Sequence, residues 1–180
     1  NIFRLKLDNK QEVVYTSKLN EIGEYNYVSG NYRNISGMST AGFNNGECSI
    51  AKFNFPTNIE TYYEDNIIKG LFVIDRNNYC IRYIEFENCS VSTILGKCQQ
   101  GGTQDGNTST ARLNIITSFT KKNNDKYYIS EQSTNSIREI DIIKINSTSF
   151  IMEINRINLN VFTQLKCLTY VTKFFYNNFF

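Results

Sequence analysis

The sequence predicts an all-β protein built from repeated four-stranded units. Three observations lead to this prediction. Aromatic residues, which favour strands, are abundant, with 13 Phe and 12 Tyr among 180 residues. Short apolar runs and period-two alternation are separated by Gly- and Asn-rich turns, the pattern of strands joined by tight connections. The chain also repeats itself at an interval of about 60 residues, which indicates a repeat architecture.

The repeat consists of two blocks that recur in the same order. The first block covers residues 42–57 and recurs at 102–117, and the second covers 71–86 and recurs at 127–142. Two blocks that recur with nearly constant spacing indicate one structural unit used twice. The repeat signature is carried by Gly46, Ala51, Asp75, Arg82, Gly106, Ala111 and Arg138.

One unit is predicted to form four strands joined by short turns. The predicted strands cover residues 54–63, 70–74, 79–86 and 90–95. Between the second and third strands we predict a tight turn in which Asp75 accepts backbone N–H bonds and Asn supplies the left-handed conformation. The third strand carries bulky residues on both faces, which indicates that sheets stack on either side of it. Four-stranded units repeated around an axis form a β-propeller.

The repeat divides the chain into propeller blades. Residues 40–96 and 97–153 are predicted to be two blades, and 154–180 a degenerate partial blade. Residues 1–19 are predicted to end a preceding blade, because Ile2 and Leu5 repeat the spacing of Ile81 and Ile84. About three blades cannot close a ring, and an open ring exposes sheet edges. We therefore expect an incomplete ring that is part of a larger chain or pairs with other chains.

The two blocks together resemble the NHL repeat family of β-propellers. The resemblance rests on G-x-x-x-G-x-x-x-x-A-K-F-N-x-P at residues 42–56, L-F-V-I-D-x-x-N-x-x-I-R at 71–82 and V-S-T-I-L-G at 91–96. It covers residues 42–141, and the second unit departs from it where Leu113 replaces the phenylalanine and Ile116 the proline. The resemblance implies a rigid scaffold that presents loops to proteins, and sometimes to RNA or glycans.

Two sets of residues are candidates for function. The first is a long segment, residues 20–39, which we interpret either as a contact loop or as a solvated insertion. Its candidate binding residues are Tyr25, Tyr27, Tyr32 and Arg33. The second set is Arg82 and Arg138, which could contact a ligand. We favour a structural role for both arginines, as ion pairs with the nearby carboxylates.

The composition favours a non-catalytic protein-binding or scaffolding module. The first alternative is a propeller-type lyase or hydrolase. Such an enzyme usually uses histidines for acid–base or metal chemistry, and the chain has no histidine. RNA binding, the second alternative, is disfavoured by a net charge of only +2. We expect no cofactor, no bound metal and no nucleic-acid partner. The expected partners are proteins or the remaining blades of the propeller.

The cysteines and sequons favour a secretory context. There are five cysteines and no C-x-x-C pair, which suits two disulfides and one free thiol better than a zinc site. Cys48, Cys80 and Cys98 are predicted to lie in loops on one face, so a bridge among them is expected. N-x-S/T sequons begin at Asn34, Asn88, Asn107 and Asn146. No apolar run approaches the ~18 residues of a membrane-spanning helix.

Overall fold

The computed structural model describes residues 2–8, 12–123, 125–144 and 150–156, with side chains at 12–123, 125–143 and 152–155. These residues form an all-β structure of three antiparallel sheets. The strands of the first sheet are β1 (Ile2–Asp8), β2 (Val13–Lys18), β3 (Glu21–Asn26) and β4 (Tyr32–Gly37). The strands of the second are β5 (Gly46–Glu47), β6 (Pro56–Glu64), β7 (Ile67–Asp75), β8 (Cys80–Glu85) and β9 (Ser90–Leu95). The strands of the third are β10 (Gly106–Asn107), β11 (Ile116–Lys121), β12 (Lys126–Glu131), β13 (Ser136–Lys144) and β14 (Phe150–Arg156).

Each sheet is a four-stranded meander, and two of the three carry an additional short strand. In the second sheet β5 pairs with β9, the far edge of the meander, and in the third β10 pairs with β14 in the same way. The first strands of the meanders, β1, β6 and β11, lie next to one another. Consecutive sheets therefore stack face to face, with equivalent strands side by side.

The second sheet is buried on both faces, as the bulk on both sides of its third strand predicted. One face packs against the first sheet, and that core includes Tyr15, Ile22, Phe53, Leu71 and Ile84. The other face packs against the third sheet, and that core includes Phe72, Tyr83, Phe119, Tyr127 and Ile140. All six residues of β8 are buried, because neighbours cover both the odd and the even positions of that strand.

The strands of the second sheet lie close to their predicted positions. β9 covers the predicted residues 90–95, and β6 begins at Pro56, two residues later than expected. The turn between β7 and β8 is a single 3₁₀ turn, and its left-handed residue is Tyr79 (φ 58°), not an asparagine. Asp75 accepts a backbone N–H from Asn54, in the segment before β6, and makes no capping bond within the turn.

Three sequence-based assignments differ from the structure. Strands β1 to β4 form a four-stranded sheet of their own, with β1 as its first strand, whereas residues 1–19 were predicted to end a preceding blade. The predicted contact loop at residues 20–39 contains β3 and β4. Apolar alternation identifies a strand but not its place in a sheet, and the exposed polar positions of β4 hid its periodicity. β14 also crosses the predicted boundary at residue 154; residues 157–180 lie outside the described part.

Candidate binding groove

Buried arginines fix the loops that precede the second and third sheets. Arg82, on β8, is fully buried and lies 2.9 Å from the Asp75 carboxylate. It also donates to the backbone oxygens of Asn44 and Lys52, in the segment before β6. Arg138 does the same in the third sheet, with an ion pair to Glu131 at 3.2 Å. The geometry of both arginines matches the structural ion pairs favoured from the sequence, and neither side chain is exposed to a ligand.

The other signature residues lie in the same two loop segments. Gly46 and Gly106 have φ of +117° and +148°, which favour glycine. Ala51 and Ala111 are fully buried in the cores between consecutive sheets. Each segment thus packs against its sheet at a small buried residue and is hydrogen-bonded to a buried arginine.

Two disulfides hold the ends of the second sheet. Cys48 is bonded to Cys89 and Cys80 to Cys98. The presence of two disulfides agrees with the sequence-based expectation, and Cys80–Cys98 is a bridge within the predicted trio. The shared loop location is wrong, because Cys80 begins β8 and is buried. Cys48 pairs outside the trio because β5 lies along β9, which brings it to the β8–β9 turn. Cys167 lies outside the described residues.

A groove of about 550 Å³ runs along the outer edge between the first and second sheets. One wall is β4, from Arg33 to Gly37, and the other is formed by residues 47–49 and by the β8–β9 turn at residues 88–89. At its base the Ser36 hydroxyl donates to the Cys48 carbonyl at 3.1 Å, in a buried position. The Cys48–Cys89 disulfide fixes the second wall. One wall of the groove is therefore constrained by a covalent bond and the other by its place in a β-sheet.

The groove is polar and nearly balanced in charge. Arg33 is 68% exposed and makes an ion pair with Glu24 at 3.2 Å. Glu47, Ser49 and Asn88 contribute further donors and acceptors along the opposite wall. This lining has little net charge. It can recognise a polar segment through backbone and side-chain hydrogen bonds.

The structure separates the four predicted binding residues. Arg33 lines the groove, whereas Tyr25 and Tyr32 lie opposite each other on the other face of β3 and β4. Tyr27 lies in the turn that follows β3 and is 44% exposed. Partial burial, with a smaller contribution from Glu21, raises the pKa of Tyr32.

Sequence reasoning missed the residues of the opposite wall. Glu47 and Ser49 were included in the repeat, but no motif marked them as part of a groove. Asn34 and Asn88 were noticed as sequons, and both lie exposed on the groove. Two sequons that converge on one groove are a signal that only spatial proximity reveals, since they are far apart in the sequence.

The described residues carry neither a metal cluster nor a membrane-spanning helix. Across these ranges no three His, Cys, Asp or Glu side chains come together as metal ligands. No helix within them has the length and hydrophobicity needed to cross a bilayer.

Comparison with known proteins gives structural matches alone. No protein-family model and no curated protein matches the chain. An auxiliary nutrient binding protein from Bacteroides ovatus matches with a TM-score of 0.63 at 16% identity, over 87% of this chain and 37% of that one. A protein of unknown function from Bacteroides thetaiotaomicron matches with a TM-score of 0.62 at 19% identity, over 79% and 32% of the two chains.

A third match has a different name. It is a protein from Bacteroides thetaiotaomicron provisionally named a phosphatase, with a TM-score of 0.62 at 15% identity, over 87% of this chain and 35% of that one. This chain therefore spans about a third of the length of the structures it matches. At these identities the similarity establishes a shared fold. The names of the matched proteins differ, and no function is transferred from them to this chain.

Proposed function

We propose that this chain is part of an NHL-type β-propeller that acts as a non-catalytic protein-binding module, with the groove between the first two sheets as its contact surface. The stacking of three antiparallel sheets, with β1, β6 and β11 side by side, supports the propeller architecture. The repeat signature supports the family. Two disulfides support a protein that matures in an oxidising compartment.

The groove carries the proposal of a binding role. Its volume is within the range of ligand and peptide sites, and its walls are a sheet edge and a disulfide-anchored turn. A rigid scaffold that positions polar groups along a cleft loses little entropy on binding. Arg33 supplies an exposed cation at one side, and Glu47 an anion at the other, which would orient a bound polypeptide.

The experiment is affinity capture of partners, compared between the native chain and a variant in which the groove is filled. Ser49→Trp adds a large ring to one wall. Ser109→Trp is the matched control, because Ser109 occupies the same repeat position 60 residues later and is also exposed. We expect Ser49→Trp to reduce recovery of protein partners about tenfold, as obstruction at the centre of a contact surface does, and Ser109→Trp to leave it unchanged.

Capture is repeated at high salt and after nuclease treatment. Partners that persist through both treatments and disappear in Ser49→Trp support the proposal. Equal recovery by both tryptophan variants, or a tightly bound metal with no protein partner, would overturn it. Partners released by nuclease would indicate RNA binding, which loses affinity steeply as salt rises.

A further inference from the structure

A tight turn follows the short strand in both copies of the repeat. In the second sheet the Ala51 N–H donates to the Glu47 carbonyl at 3.0 Å, and in the third the Ala111 N–H donates to the Asn107 carbonyl at 2.9 Å. The two turns, residues 47–51 and 107–111, occupy the same place in the repeat, after β5 and after β10. They differ in how the second residue of the turn is attached to the neighbouring strand.

The attachment is covalent in the second sheet and non-covalent in the third. Cys48 is bonded to Cys89, and its N–H donates to the Cys89 carbonyl at 2.8 Å. The β5–β9 and β10–β14 ladders place Thr108 and Met152 at the equivalent positions. There the Thr108 hydroxyl accepts a hydrogen bond from the Met152 N–H at 3.1 Å. The repeat therefore holds this turn in place without a disulfide, so the disulfide of the second sheet is an addition to it.

The two disulfides of the described residues differ in their exposure to solvent. Cys89 is exposed in the β8–β9 turn, and with Cys48 it lines the groove. In the other disulfide Cys80 is fully buried and Cys98 is partly buried. Because a thiolate has to reach one of the two sulfur atoms in thiol–disulfide exchange, exposed disulfides are the more labile ones. Cys48–Cys89 is therefore the disulfide that a reductant reaches more easily.

Cleavage of this bond would free a short segment whose two ends stay fixed. Arg82 donates to the backbone oxygens of Asn44 and Lys52, on either side of the turn. Asn44 and Lys52 also pair with each other, and Ala51 is fully buried. None of these contacts involves the disulfide. Loss of the bond should therefore loosen residues 46–50 while the sheet stays folded, as a local opening does.

The segment that would be freed is one wall of the groove. Residues 47–49 belong to that wall, and Ser36 belongs to the opposite wall, β4. The buried Ser36 hydroxyl donates to the Cys48 carbonyl at 3.1 Å and so joins the two walls. Displacement of Cys48 would break this contact. A wall that is no longer fixed has to be ordered when a ligand binds, which lowers the affinity.

We propose that the Cys48–Cys89 disulfide is a redox-sensitive switch, and that its reduction by a protein dithiol of the thiol–disulfide oxidoreductase class releases this wall and weakens binding in the groove. A thiolate of the reductant attacks the Cys89 Sγ, and Cys48 leaves as a thiolate and takes up a proton. The second thiol of the reductant then displaces Cys89, which is protonated in turn, and the reductant becomes a disulfide. The control of binding rests on the proposed function, whereas the selective reduction does not.

The first test is a titration of the folded chain with dithiothreitol, followed by alkylation and peptide mapping. We expect half-cleavage of Cys48–Cys89 at a dithiol concentration about tenfold lower than that for Cys80–Cys98, which is the internal control. Amide spectra at that concentration should change at residues 46–50 and 88–90 and stay unchanged on β12 and β13. Cleavage of both disulfides together, of Cys80–Cys98 first, or loss of the β12 and β13 signals would overturn the inference.

Two double variants separate the covalent bond from the position of the turn. Cys48→Ala with Cys89→Ala removes the attachment through side chains. Cys48→Thr with Cys89→Ala introduces the hydroxyl that Thr108 uses in the third sheet. We expect partner capture to fall about tenfold in the double-alanine variant and on selective reduction of the native chain, and to be retained in the threonine variant. Neither variant should respond to the dithiol. Equal capture by the native chain and the double-alanine variant would contradict the switch.

Two outcomes separate this inference from the proposed function. Capture that is lost in Ser49→Trp but unaffected by reduction would keep the groove as the binding site and reject the switch. Capture that is unaffected in Ser49→Trp would reject the proposed function and the control of binding with it, even where the titration cleaves Cys48–Cys89 first.

Discussion

The second and third sheets are two copies of one repeat that neutralise the same buried cation differently. Arg82 lies between the rings of Phe43 and Phe53, 4.9 and 5.1 Å from their centroids, and bonds to the amide oxygen of Asn45. In the third sheet Thr103 and Leu113 replace the two rings.

A second carboxylate compensates for the lost rings. Asp105 stands at the repeat position of Asn45 and accepts from Arg138 at 2.9 Å. In both copies, therefore, the positive charge of the buried guanidinium beside the loop is compensated. The compensating groups can be aromatic faces or a carboxylate.

The two copies also differ on the sheet face that points away from the preceding sheet. Phe72 and Tyr83 of the second sheet pack against the third sheet. The equivalent positions of the third sheet carry Tyr128 and Glu139, and Glu139 forms ion pairs with Lys122 and Lys126. A position that packs apolar rings in one copy thus carries a charged network in the next.

Removing either arginine should have the largest effect. Arg82→Met leaves the buried Asp75 carboxylate without its cation and should lower the free energy of unfolding by about 3–5 kcal/mol. Arg138→Met should cost a similar amount, because Glu131 is equally buried. Urea unfolding measures both. The control is Arg82→Met with Asp75→Asn, which should recover part of the loss; no recovery would show that packing, not charge, dominates.

Loss of the disulfides should affect the second sheet more than the third. The chain-entropy estimate is about 4 kcal/mol for the 41-residue separation of Cys48–Cys89 and about 3 kcal/mol for the 18-residue separation of Cys80–Cys98. Paired Cys→Ser variants, compared by hydrogen exchange, should show faster opening of β8 and β9 than of β12 and β13. Equal acceleration in both sheets would mean that they unfold as one unit.

Tyr127→Phe should be neutral or stabilising. Tyr127 is fully buried at the position that Leu71 holds in the second sheet, and its hydroxyl has no hydrogen-bond partner. Burial is also the main cause that raises the pKa of Tyr127. Removing an unsatisfied buried hydroxyl should increase the free energy of unfolding by up to about 1 kcal/mol. A loss of similar size would show that water or another group satisfies the hydroxyl.

Glu139→Gln should have the smallest effect, and one that depends on pH. The hydrogen bond from Lys126 is the main cause that lowers the pKa of Glu139. A carboxylate with a lowered pKa stabilises the fold above its ordinary pKa range, and this stabilisation is lost as the pH falls through the lowered value. The melting temperatures of the variant and the native chain should therefore differ slightly at pH 7 and converge as the pH falls through the lowered pKa. A difference that does not change with pH would contradict the ion-pair explanation.

The repeat made part of the structure predictable. Conserved spacing within one chain identified the positions of Arg82 and Arg138, and the charge of Asp75 and Glu131 beside them suggested the ion pairs that the structure contains. The fourth predicted strand, residues 90–95 of the second sheet, was also located at its observed bounds. Both predictions depend on local spacing, which a sequence records directly.

The first sheet was not predictable in the same way. The β3–β4 and β8–β9 ladders share a bulge, at Ile35 and at Ile94, and aligning them there places Gly23 at the position of Arg82. Neither signature block therefore marks the first sheet, and β3 and β4 were interpreted as a contact loop or a solvated insertion. The groove likewise joins Arg33 to Asn88, and no local pattern relates residues so far apart.

The sequence by itself determined the all-β class, the two-copy repeat and the buried arginine at its centre, because these follow from side-chain period and from residues a fixed distance apart. Tertiary structure alone decided which strands pair and which cysteines bond. Those outcomes depend on long-range pairing, in which β5 reaches across its sheet to β9 and brings Cys48 to Cys89. A sequence does not encode such contacts locally, because the residues that meet are far apart along the chain.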